Sequence, residues 1–140
     1  MSLLVPDTSV FIELLRRRSA AEELLGRPWR LRLSAVVLAE LVRGAESRVE
    51  ERYVRALARS FPPLAPSAEQ WGECGRLLRR LRRERHFDAR GLRAIQNDAL
   101  IALTARGLGA PVFTTNAVDF ELLAGHLRGL RVLVLPAAPS

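Results

Sequence analysis

Along this chain short, wholly apolar runs alternate with longer segments whose apolar residues recur at helical spacing, and that alternation constrains the fold more than any other feature. Leu3-Leu4-Val5 is an apolar run ended by Pro6 and Asp7, as a buried strand would be, and Thr8-Ser9 supply hydroxyls that open a helix through Leu14-Leu15. A second short helix is expected from Ser19 to Leu25, broken by Gly26 and Pro28; Trp29-Arg30-Leu31-Arg32-Leu33 then alternates with the period of a strand. Ser34 reads as the cap of a helix carrying Val36, Val37, Glu40, Leu41 and Gly44 on one face, and another helix from about Glu46 to Ser60 is stopped by Pro62-Pro63. Leu64-Ala65 has room for a very short third strand. Ser67 with Gln70 has the pattern of a capping box for a long helix to about Arg85, whose apolar stripe is Trp71, Cys74, Leu77 or Leu78, and Leu81. A loop from His86 to Gly91 leads to a helix from Leu92 to Arg106, which Gly107-Leu108-Gly109 ends. A strand at Val112-Phe113, a helix from Val118 to Leu127, a closing strand from Arg131 to Leu135 and a loose tail, Pro136 to Ser140, complete the chain.

No hairpin signal joins neighbouring strands, so the expected fold is α/β: one parallel sheet of about five strands sandwiched between helices. A length of 140 residues with 49% hydrophobic side chains suits one domain, over residues 1–135, with a core that needs no disulfide or metal staple. The lone Cys74 excludes an intramolecular disulfide framework and a multi-cysteine zinc site, and fits a reducing compartment. Leu3 to Leu15 is interrupted by Asp7 and Glu13 and runs into Arg16-Arg17-Arg18, the wrong polarity for a signal peptide, and no uncharged run approaches the roughly 18–20 residues of a membrane span. A cytoplasmic protein without membrane contact is the expectation. Its 22 basic residues are all arginine and leave a net charge of +7, which favours a polyanionic partner.

Four acids carry the functional argument. Glu40 and Asp98 each sit on an apolar helical stripe, Glu40 with Val36, Val37 and Leu41, Asp98 with Ala94, Ile95, Ile101 and Ala102. A carboxylate desolvated in that way takes up a proton, pairs with an arginine, or binds a cation. Asp7 and Asp119 lie where a strand hands over to a helix, at the carboxyl edge where open parallel sheets bind ligands. There Asp7 can serve simply as a helix cap and Asp119 as a complement to a helix N-terminus capped by Asn116. Gathered together, the four make an all-oxygen set without histidine, suited to Mg²⁺ or Mn²⁺ rather than zinc, with a phosphodiester to complete the shell. Nothing in the chain matches the glycine-rich phosphate loop of a kinase or nucleotidase.

Four fragments in order, Asp7-Thr8-Ser9, Ser34 to Glu40-Leu41 with Gly44, Asn97-Asp98-Ala99-Leu100-Ile101-Ala102, and Thr114-Thr115-Asn116 followed by Asp119-Phe120, resemble the PIN-domain ribonucleases, specifically the VapC-type toxins of toxin–antitoxin pairs. The resemblance implies a metal-dependent endoribonuclease whose metal-binding acids are Asp7, Glu40, Asp98 and Asp119. It further implies a homodimer, held inactive by a small antitoxin whose C-terminal segment lies across a groove near the acids, with the first two helices as the place to look. The chain departs from the family pattern at Pro6, Thr115 and Asn116. Either Asp119 binds the metal directly, or Asn116 and Asp119 share that role through water. One or two Mg²⁺ ions would polarise the phosphorus and activate a water, with Asp98 or Glu40 as base. Ser9 and Thr114 are read either as donors to the carboxylates or as local helix caps. The eight arginines between Arg76 and Arg93 are expected mostly to cover a solvated face and to attract RNA at long range. His86 and His126 are expected at the surface, Cys74, Trp71, Trp29 and Phe120 in the core. The contrasting function is a non-catalytic RNA- or protein-binding domain of the same fold.

Overall fold

The computed structural model describes residues 2–16 and 29–135. In chain order the elements are β1 (Ser2–Pro6), α1 (Thr8–Arg16), β2 (Trp29–Leu31), α2 (Ala35–Gly44), α3 (Arg48–Ser60), α4 (Ala68–Glu84), α5 (Ala89–Gly107), β3 (Val112–Thr114), α6 (Ala117–Ala124) and β4 (Val132–Val134). The expected helix from Ser19 to Leu25, the side chain of Trp29 and the tail at 136–140 lie outside the described residues or side chains. All strand pairings are parallel, in the order β2-β1-β3-β4. Each crossover runs through helices, as the alternation of the sequence requires.

Sheet register sets the layers. Val5 pairs with Val112 and both enter the larger core, whereas Leu4 and Phe113 point to a smaller cluster with Val10 and Leu31. Successive residues of a strand face opposite sides, so both faces of the central strands are covered. The larger core is organised by α5, in which every residue from Ala99 to Ala105 is buried. Such a helix, apolar all round, sits inside the domain rather than on its surface. Phe11, Leu33, Val37, Leu77, Leu81, Phe120 and Leu123 pack around it. Among the described residues no helix is long and apolar enough to cross a membrane.

Several expectations need correction. Among the described residues four strands form rather than about five, because Leu64 makes only an isolated parallel bridge to Ser34. Leu64 N–H donates to Leu33 O and Ala35 N–H to Leu64 O, both at 2.9 Å. Pro62, Pro63 and Pro66 around it have no N–H to extend a ladder. Helix α5 begins at Ala89, three residues earlier than expected, because Asp88 caps it by accepting from Gly91 N–H at 2.8 Å. Helix α6 ends at Ala124, before Leu127, with Gly125 as its cap.

Trp71 is 49% exposed rather than in the core. The capping box at Ser67 and Gln70 forms as expected, but Gln70 then turns onto α5, its Nε2 donating to Leu103 O at 3.1 Å. The next residue is rotated by about 100° and faces out. His126 is not a surface residue either: its side chain is 11% exposed, with Nε2 3.3 Å from a Glu84 oxygen and Nδ1 3.1 Å from Leu122 O. Cys74 and Phe120 are buried as expected, and His86 is exposed.

Candidate active site

Asp7 follows the last residue of β1, and its N–H donates to Phe113 O at 2.8 Å, which holds it beside the carboxyl end of β3. Its side chain is 7% exposed. One oxygen, Oδ1, accepts from Ser9 Oγ at 2.5 Å and from Val10 N–H at 3.3 Å; the other, Oδ2, accepts from Thr114 Oγ1 at 2.6 Å. Asp7 therefore caps α1 while remaining at the strand edge. Burial pushes its carboxyl above the usual carboxylate range, and the Ser9, Thr114 and Val10 donors pull against that shift without cancelling it.

Ser9 and Thr114 are themselves held. Thr115 N–H donates to Ser9 Oγ at 3.1 Å and Asn116 N–H to Thr114 Oγ1 at 3.0 Å, so the turn after β3 fixes the donors that fix Asp7. Replacing the buried Thr114 by valine leaves Asp7 Oδ2 without its hydroxyl partner. The expected cost is about 1–3 kcal/mol of stability, read from the denaturant midpoint. Divalent-ion affinity should fall roughly 10- to 100-fold, read by titration calorimetry; an unchanged affinity would refute the positioning role of this hydroxyl.

Glu40 lies midway along α2, half-buried, and Thr8 Oγ1 donates to its Oε1 at 2.8 Å. The contact of Thr8 with Glu40 is not legible in the sequence. Its only local signal is a hydroxyl in the first helical turn, which reads equally well as helix initiation. Asp98 is half-buried in α5, and Asp119 is exposed in the first turn of α6. Asn116 caps that helix, its Oδ1 accepting from Val118 N–H at 3.4 Å.

The electrostatics of Asp98 tie the acids together. Its carboxyl is pushed up to about 7, first by burial and then by the facing carboxylates of Asp119, Asp7 and Glu40, with a hydrogen bond to Asp119 adding to the effect. Acids from β1's end, α2 and α6 thus all act on the carboxyl of Asp98 in α5. Among the described residues no arginine pairs with Glu40 or Asp98. Nor do any three His, Cys, Asp or Glu side chains there stand in an arrangement that encloses an ion as it is. The cluster is gathered but open, a set of like charges around one desolvated carboxyl. Its all-oxygen chemistry fits a hard cation such as Mg²⁺ or Mn²⁺, whose charge would offset the repulsion.

Beside Glu40 a cleft of about 150 Å³ runs between α1, α2 and α3. Ile12, Leu15, Leu41 and Val54 give it an apolar lining, and Arg16, Glu40, Glu50 and Tyr53 add polar groups. Tyr53 is fixed by donating its hydroxyl to Phe11 O at 2.9 Å, and burial pushes the phenol up to about 12.

The family model of the PIN domain matches residues 4–125. No curated protein sequence matches this chain at a significant level. Among solved structures, VapBC2 from Rickettsia felis bound to a DNA fragment from its promoter contains a chain 18% identical, with a TM-score of 0.70 over 95% of this chain and 98% of that one. VapBC-1 from nontypeable Haemophilus influenzae gives 22% identity and a TM-score of 0.70 over 94% and 97%. VapBC-5 from Mycobacterium tuberculosis, a member of the VapBC family of toxin-antitoxin systems, gives 26% identity and a TM-score of 0.64 over 96% and 100%. With its parallel sheet, Asp7 at the strand edge and a family match over most of its length, this chain belongs to the PIN domain family and shares the fold found in VapBC toxin–antitoxin structures.

Proposed function

We propose that this chain is a VapC-type toxin, a metal-dependent endoribonuclease that hydrolyses RNA phosphodiester bonds. The observation that carries the reading is Asp98, whose half-buried carboxyl is pushed up first by burial and then by the carboxylates of Asp119, Asp7 and Glu40. A cluster that is costly as it stands points to function rather than to stability. Asp7, Glu40, Asp98 and Asp119 would hold Mg²⁺ or Mn²⁺, with Asn116 sharing the role of Asp119 through water if Asp119 does not bind directly. When bound, the cation supplies Lewis-acid polarisation of the phosphate and lowers the pKa of a water.

The chain's own groups do the rest. Ser9 and Thr114 orient the Asp7 oxygens, and Thr8 orients Glu40 Oε1. A proton from the attacking water would pass to a carboxylate oxygen of Asp98 or Glu40 as the new P–O bond forms and the bond to the departing ribose oxygen breaks, that oxygen taking a proton from solvent. The arginine-rich surface draws the polyanion toward the acids. The apolar cleft beside Glu40 is where an antitoxin segment would lie, since it offers aliphatic surface next to the acids and Arg16 at its edge. Homodimerisation, a cytoplasmic location and a single nuclease unit over residues 1–135 complete the reading.

Purified protein freed of any antitoxin should cut total bacterial RNA into discrete fragments with Mg²⁺ or Mn²⁺, and the fragments should vanish with chelator. A folded protein that cuts none of several RNAs under those conditions is instead a non-catalytic binding domain on the same fold.

A further inference from the structure

The outer side of α4 carries residues that a merely structural helix face does not require. Its inner side is Cys74, Leu77 and Leu81, all buried. Opposite them Arg76, Arg79, Arg80 and Arg83 are exposed, and among the described residues none is within ion-pair distance of a carboxylate. Glu73, beside them, is engaged by Arg106. Guanidinium groups at positions i, i+3, i+4 and i+7 of one helix repel one another, and a polyanion that displaces their counterions relieves that repulsion.

Two glycines lie on the same side. Glycine in a helix interior is unfavourable relative to alanine, yet packing asks for neither of these. A Cβ at Gly75 would meet nothing within 4 Å, and one at Gly72 only the flexible Arg76 guanidinium at 3.4 Å. They leave bare backbone open to close approach. Trp71, 49% exposed, stands one turn before Gly75, and Arg79 one turn after it. An indole, an open turn and a guanidinium therefore follow one another along the helix. A single strand of nucleic acid uses that combination, stacking a base on the aromatic ring and placing phosphates against the arginines. Pairing this face with a second copy would set arginine row against arginine row.

We infer that the outer face of α4, centred on Trp71, Gly75 and Arg79, is a contact surface for single-stranded RNA, lying outside the acid cluster and supplying affinity rather than chemistry. The choice of RNA among polyanions rests on the endoribonuclease reading; the aromatic, glycine and arginine arrangement does not.

The test is fluorescence anisotropy of the full chain with a labelled RNA of about 15 nucleotides, in chelator so that nothing is cut. Trp71→Ala should weaken binding about tenfold. Combined Arg76→Gln, Arg79→Gln and Arg83→Gln should lower the slope of log affinity against log salt by about 2, at roughly 0.7 for each phosphate contact. Gly75→Gln should weaken binding while the melting temperature stays level or rises, which separates lost contact from lost folding. With Mg²⁺ restored, the same variants should raise KM and leave kcat unchanged.

Wild-type protein that binds no RNA, affinity indifferent to both Trp71→Ala and Gly75→Gln, or tighter binding of duplex DNA of the same length would overturn the inference. So would a dimer that Trp71→Ala dissociates with RNA affinity per protomer intact, which makes the face a contact between protein chains. Trp71-dependent binding by a protein that cleaves nothing leaves this surface standing and removes the endoribonuclease reading. Asp98-dependent cleavage with affinity blind to Trp71 does the reverse.

Discussion

Asp98→Asn is expected to reduce metal-dependent RNA cleavage at least about a hundredfold, above the roughly 10- to 100-fold that loss of a partner behind a metal ligand costs, while making the metal-free protein more stable. The two effects share a cause. In the folded chain Asp98 titrates at about 7, because burial and the carboxylates of Asp119, Asp7 and Glu40 disfavour its charge, whereas an unfolded aspartate titrates near about 3.9. Between these values the native state keeps a proton that the unfolded state has released. The contribution of Asp98 to stability therefore falls as pH rises from about 4 to about 7 and is level above that, the opposite of a salt-bridged carboxylate. Asp7, raised by burial, acts in the same direction.

Three pKa units correspond to about 4 kcal/mol, but the Asp98 carboxyl is only partly buried, and solvent screening reduces the effect to about 1–2 kcal/mol. Asparagine keeps the shape and removes the charge. At about pH 8 the variant should melt roughly 3–8 °C higher than wild type, and near pH 4 the difference should disappear. Mg²⁺ should raise the melting temperature of wild type and narrow the gap, because an ion that binds only the native state stabilises it. A variant that cleaves like wild type would remove Asp98 from the site. One that is no more stable than wild type at high pH would show that the cluster carries no repulsion.

Phe120→Ala is expected to cost about 3–5 kcal/mol, a large part of the roughly 5–15 kcal/mol of a typical domain. Phe120 is 1% exposed and belongs to the larger core around α5. Truncation removes apolar contact and leaves a cavity that a close-packed interior refills only in part. It also loosens α6 one residue from Asp119, so cleavage should weaken even where the protein is still folded. Urea denaturation gives the stability change from the shift in midpoint; a loss under about 1 kcal/mol would mean the core closes over the gap. Trp71→Ala, another aromatic change expected from sequence to strike the core, should cost little, because Trp71 lies on the outer face of α4.

Sequence reasoning succeeds here mostly where the interaction is local. Alternating strand and helix patterns lead to the parallel α/β layers, and Ser34, Ser67 with Gln70, and Asn116 each take up the cap that their position suggests. The family resemblance read from four short fragments agrees with the PIN domain match. Its errors are of two kinds, local signals passed over and contacts with distant residues. The proposed strand at Leu64-Ala65 fails because the prolines around it cannot donate, which was readable. His126 is part-buried with Glu84, 42 residues away in the chain, beside its Nε2, which was not.

The candidate site divides in the same way. Residue type and periodicity by themselves determined that Glu40 and Asp98 ride apolar stripes, that Asp7 and Asp119 stand at strand-to-helix junctions, and that the chain is strongly basic. Tertiary structure alone decided that Thr114, 107 residues from Asp7, would hold its carboxyl, that Thr8 would reach Glu40 across 32 residues, and that Asp98 would bear the combined repulsion of the other three. It alone decided which side of α4 leaves Trp71 in solvent. The reason is physical: caps and stripes are set by neighbours within about four residues. Hydrogen bonds and like-charge contacts over such separations depend on how helices rotate and seat on the sheet, a matter of shape across the whole core.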